Sequence, residues 1–234
     1  MFRVLCVLLL LIVQENFSFA SVTIDRTRLI YDGSENVTTL TLNNNNNESS
    51  LIQLWVDNGQ LDTSPSKIDV PFIISPQIKK LNSNQSQVVK VRYIGDKTYD
   101  GEKLYWLNML EVPKKGKSGT NFIQLAYRTR IKFFYRPANL KELSQAESSE
   151  NLQFKVDGNI LKIKNESPFH ITISRLYLFI DKNNRSETPY EYDGFMIAPN
   201  SSKKITVDNI SLYRHLKYTY INDWGGEQEV KITL

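Results

Sequence analysis

The 234-residue chain carries 29 basic against 25 acidic side chains, a net charge of +4, with 41% hydrophobic residues and one cysteine. That charge is too mild to imply a nucleic-acid partner, and a lone cysteine leaves no intramolecular disulfide. No segment reaches the roughly 20 consecutive apolar residues of a spanning helix, so direct membrane insertion is not expected.

The first 20 residues place Arg3 before an apolar block from Val4 to Val13 and end in Ser18-Phe19-Ala20. This is the layout of a cleavable signal peptide, with the mature chain starting near Ser21. Cys6 leaves with it, and Arg3 and Glu15 leave together, so the net charge is unchanged. Removing 20 of the 234 residues leaves 214, a length that favours two medium domains, each able to bury a core without disulfides.

Strand-like runs follow in order: Thr39 to Leu42, Leu51 to Val56, Val88 to Ile94, Leu104 to Val112 and Phe122 to Tyr135. Polar stretches separate them, among them Asn43 to Ser50, whose Asn43 to Asn47 run is read as a hairpin tip because Asn tolerates turns. The long run begins at Asn121 and alternates: Ile123, Leu125, Tyr127 and Thr129 face one way, Gln124, Ala126 and Arg128 the other. Pro76 inside a β-type segment marks an edge, a turn or a cis bond. Between Pro137 and Asn151 the composition turns polar, which predicts a linker over 138–150. A second β set comprises Leu161 to Lys164, His170 to Ile180, Lys204 to Val207, Leu216 to Ile221 and Val230 to Leu234. The pattern predicts an all-β chain of two immunoglobulin-like sandwiches, residues 21–137 and 151–234.

Enzyme chemistry finds little support. The two histidines, His170 and His215, stand apart from each other and from any acidic motif, and no HExxH, CxxC, GxSxG or phosphate-loop pattern occurs. His170 reads as a hydrogen-bonded structural residue, and Lys114, Lys115 and Lys117 as a solvated loop. No metal or cofactor is expected.

Six segments then carry a resemblance: SVTIDRTRLIYDGSE at Ser21 to Glu35, IQLWVD at Ile52 to Asp57, PFIISP at Pro71 to Pro76, EKLYWLNMLEVP at Glu102 to Pro113, RIKFFYRP at Arg130 to Pro137 and YINDWGG at Tyr220 to Gly226. In this order and spacing they resemble the periplasmic pilus-assembly chaperones of the PapD type. The resemblance implies two immunoglobulin-like domains set as an L around a cleft. It also implies a non-enzymatic role, in which a strand is lent to a pilin subunit that lacks one of its own and the subunit is delivered to an outer-membrane usher. Carried over, Ile123, Leu125 and Tyr127 fill the pilin groove, although Tyr127 departs from the aliphatic residue usual there. Arg28 and Lys132 anchor the pilin's C-terminal carboxylate, and Glu102, Arg136 and Asp223 form an interdomain salt-bridge network. A short loop after Pro113 resembles the branch of the family that serves rod-like fimbriae. The free protein is expected to self-associate to cover its apolar strand. The competing reading is a secreted β-sandwich adhesin or structural surface subunit. One tension stands: alternation puts Lys132 on the face opposite Ile123, which calls for a bulge or for a cleft reached from the other side.

Overall fold

The computed structural model describes residues 22–95, 99–113, 125–180 and 189–234. The expected signal peptide, the Lys114–Lys117 loop and Ile123 lie outside them.

The first unit contains β1 (Val22–Ile24), β2 (Arg28–Asp32), β3 (Thr38–Asn44), β4 (Ser50–Asp57), β5 (Phe72–Ser75), β6 (Ile78–Leu81), β7 (Ser86–Tyr93), β8 (Lys103–Pro113) and β9 (Tyr127–Arg136). A sheet ordered β1-β3-β7-β5 packs against one ordered β2-β9-β8-β4-β6. Strand side chains alternate between faces, so Leu40 and Leu42, Ile52 and Leu54, Val89 and Val91, and Ile131, Phe133 and Tyr135 all enter one core. Aromatic rings fill the core around the start of β5 and the ends of β7 and β9: Phe72 lies 4.7 Å from Phe133, and Tyr93 stacks on Tyr135 at 4.2 Å.

The Asn-rich stretch is not a hairpin tip. β3 and β4 belong to different sheets, so the segment is an arch between layers. Asn44 is buried at its root, and its Nδ2 donates to the carbonyls of Glu48, Leu81 and Asn82 at 3.0, 3.2 and 2.9 Å. A hydrocarbon there would leave those buried acceptors unpaired. The chain changes sheet again between β5 and β6, where the Ser75–Pro76 peptide is cis.

Residues 138–150 are ordered structure. A 3-10 turn over Ala138–Leu140 leads to a short helix, α1 (Gln145–Glu150), capped by Ser144 Oγ, which accepts from the Glu147 N–H at 3.2 Å. Tyr218 Oη donates to the Ser149 carbonyl at 2.6 Å, fastening this stretch to the second unit.

That unit pairs a sheet ordered β10-β11-β14 with one ordered β13-β12-β15-β16. The strands are β10 (Gln153–Asp157), β11 (Ile160–Asn165), β12 (Ile171–Phe179), β13 (Tyr190–Ile197), β14 (Ser201–Thr206), β15 (His215–Ile221) and β16 (Glu227–Thr233). Alternation does not predict β10 and β13, because both are edge strands with mostly exposed or half-exposed side chains.

Candidate functional site

β2 and β9 run parallel, and their register sets Arg28 directly beside Lys132. Both point away from Ile131, Phe133 and Tyr135 and toward the second sandwich. Arg28 Nη1 donates to the Ile221 carbonyl at 3.2 Å, and Lys132 Nζ donates to Thr172 Oγ1 at 3.2 Å. The tension over Lys132 resolves without a bulge: β8 and β9 keep one register from Glu111–Tyr127 to Lys103–Tyr135. Lys132 reaches the junction from the face opposite Tyr127.

The electrostatics of this pair are unusual. Arg28 is only 8% exposed, and its Nε is buried with no hydrogen-bond partner among the described residues. Neither cation joins a salt bridge among those residues. Burial, reinforced by the charge of Arg28, pushes Lys132 down to about 8. Burial also lowers Arg28, with partial relief from the more distant Asp223 and Glu102. Two cations desolvated side by side repel unless an anion joins them. A carboxylate supplies two acceptor oxygens to such donors in charge-assisted bonds.

A second cluster ties the sandwiches together. Arg136, at the end of β9, donates Nε and Nη2 to Glu102 Oε1 at 3.2 and 3.0 Å. Its Nη1 and Nη2 also donate to the two oxygens of Asp223, at 2.7 and 2.9 Å. The guanidinium lies 4.8 Å over the Phe169 ring. The planar fork of Arg suits this double engagement, which a Lys could not make. His170 is a further member that sequence reasoning did not place here. Its N–H donates to Glu102 Oε2 at 2.9 Å, and its Nδ1 lies 3.2 Å from the same oxygen. Thr172 and the Ile221 carbonyl were likewise missed, since nothing local in the sequence points across the junction.

Leu125 and Tyr127 are 54% and 55% exposed. Tyr127 continues the inward row of β9, but beyond the point where the opposite sheet covers it. Neither residue belongs to the domain's own core.

Comparison with known proteins gives consistent findings. Residues 21–141 match the family described as pili and flagellar-assembly chaperone, PapD N-terminal domain. Residues 147–232 match the pili assembly chaperone PapD, C-terminal domain. The chain is 36% identical over 230 residues to the chaperone protein MrkB of Klebsiella pneumoniae, covering 93% of this chain and 95% of that one. The structure of the Pseudomonas aeruginosa CupB2 chaperone superposes with a TM-score of 0.74 at 27% identity, over 91% of this chain and all of that one. The SafB chaperone of Salmonella enterica, solved in complex with the SafA pilin, shares the fold at a TM-score of 0.75 and 23% identity, over 93% and 98% of the two chains.

Proposed function

The chain belongs to the PapD family of pilus-assembly chaperones, and from that premise we propose that Arg28 and Lys132 grip the terminal carboxylate of a client pilin. The protein is a non-enzymatic pilus-assembly chaperone of the chaperone–usher pathway, of a periplasmic family. The observation that carries the anchoring role is the pair itself: two adjacent, half-desolvated cations with no carboxylate bonded to either among the described residues. Fixing one chain end sets the register of everything added beyond it, since a one-residue slip inverts every side chain.

With the end anchored, Ile123, Leu125 and Tyr127 complete the subunit's open groove. Exposed edges of such grooves otherwise pair with one another. The loaded chaperone delivers the subunit to an outer-membrane usher, and the free chaperone covers the same row by pairing with a second copy. Residues 1–20 direct export and are removed. Glu102, Arg136 and Asp223 hold the domains at the angle that shapes the cleft.

The test is periplasmic co-expression with a fimbrial subunit. Arg28→Ala and Lys132→Ala should each abolish recovery of the complex while leaving the free chaperone folded. Wild-type yields from both variants would overturn the anchoring role.

A further inference from the structure

β9 has two neighbours only along part of its length. Its pairing with β2 spans Lys132 to Arg136, whereas its pairing with β8 begins at Tyr127. Among the described residues, the 127–131 stretch therefore has one strand beside it and an open edge on the other side. Such half-paired segments ordinarily fray. Here the segment is held from behind.

Asp57, the last residue of β4, is fully buried on the sheet face opposite the core, and it gathers donors from three directions. Arg130 Nη2 donates to Oδ1 at 2.6 Å, and Arg128 Nη2 approaches Oδ2 at 3.4 Å. Asn108 Nδ2 donates to Oδ2 at 2.8 Å and the Gly59 N–H to Oδ1 at 2.7 Å. Arg128 also donates Nε and Nη2 to Asn108 Oδ1 at 3.0 and 2.7 Å, and Nη1 to the Leu61 carbonyl at 2.7 Å. Each guanidinium lies over a tryptophan, Arg128 over Trp55 at 5.0 Å and Arg130 over Trp106 at 4.2 Å. The result is a ladder of alternating cations and indoles nailed to one buried carboxylate.

Two features set this ladder apart from an ordinary stabilising cluster. Trp55 Nε1 and Arg130 Nε are buried with no hydrogen-bond partner among the described residues, a cost that unsatisfied donors carry. The ladder also lies wholly on the face opposite Tyr127, so it restrains the half-paired stretch while leaving the exposed row and the open edge uncovered.

We infer that Asp57 is the positioning residue of the donor strand: through Arg128 and Arg130 it fixes the pitch and register of residues 127–131 before a client arrives. Ordering a strand in advance removes that cost from the binding step. The inference rests on the donor-strand reading above and extends it to residues that touch no client.

Hydrogen exchange on the free chaperone, followed by capture kinetics with a fimbrial subunit that the wild type captures, tests it. Asp57→Asn should speed amide exchange over 127–131 by tenfold or more and slow capture about tenfold. Arg128→Gln, at a partly exposed position, serves should the first variant fold poorly, and should act in the same direction. Wild-type exchange in a folded variant overturns the inference, and so does fast exchange combined with wild-type capture. The donor-strand reading fails separately, when bound client adds no protection to 125–131 of the wild type. The exchange of the free variants still judges the Asp57 restraint in that event.

Discussion

Arg28 and Lys132 stand side by side on parallel strands, each leaning on a neutral oxygen of the second sandwich rather than on a carboxylate. Paired buried charges are common in folded proteins; adjacent like charges are not, because each raises the cost of the other. The arrangement is a standing expense in the free protein, and its removal should be visible.

Lys132→Met should make the free chaperone more stable while ending client capture. Burial and the neighbouring Arg28 disfavour the ammonium in the folded state. Discounting for the solvent that still reaches the side chain, the gain is about 1 kcal/mol, or a melting point higher by roughly 2–4 °C. Calorimetry of the free variant checks this, and a lower melting point would contradict it.

Capture should weaken as pH rises above about 8, the value to which Lys132 is depressed. A bound carboxylate favours the ammonium, so binding should draw a proton from solution near that pH. Free-state stability runs the other way. Lys132 titrates at about 8 when folded and 10.5 when unfolded. Between those values the unfolded chain holds more protons, so this residue's contribution to stability improves as pH rises. Titration calorimetry in buffers of different ionisation heat measures the proton uptake, and its absence near pH 8 would count against the anchor.

Leu125→Ser and Tyr127→Ser should leave the chaperone's own stability within about 0.5 kcal/mol, as exposed positions do. Their effect belongs to the complex. A large apolar side chain buried in a client groove contributes roughly 1.5–3 kcal/mol, so each variant should lower affinity about tenfold to a hundredfold. Equal losses of free-state stability would instead place these side chains in the chaperone's own core.

Arg136→Ala should loosen the junction without unfolding either sandwich. Among the described residues it leaves Glu102, whose side chain is 1% exposed, with His170 as its remaining side-chain partner within bonding distance, and Asp223 with no salt bridge to the first sandwich. Stranding a buried carboxylate in this way costs about 3 kcal/mol. Denaturant unfolding should separate into two transitions, one per sandwich; a single unshifted transition would show that Arg136 does not couple them.

The strands with one wet and one dry face were legible, because alternation alone marks β4, β7, β8, β12 and β15. Edge strands such as β10 and β13 were not, since neither face of them is consistently buried. The Asn-rich arch misled because turn chemistry reports a change of direction and is silent on whether the chain returns to the same sheet. At the site, the residues came from resemblance, whereas their companions depended on contacts far apart in sequence. His170 meets Glu102 across 68 positions, and Arg128 meets Asp57 across 71. No periodicity reaches that far. The register of β9 sets Lys132 on the face opposite Tyr127; what alternation lacked was the second sandwich waiting on that side.

The donors offered by Arg28 and Lys132 are already engaged with the second sandwich, at the Ile221 carbonyl and the Thr172 hydroxyl. On the anchoring proposed above, a guest's acid group would join donors that the second sandwich already holds, alongside the unpartnered Arg28 Nε. Loading and the spacing of the two bodies would then be linked equilibria, each shifting the other by the same factor. On that reading, an occupied chaperone would differ in hinge energetics from an empty one.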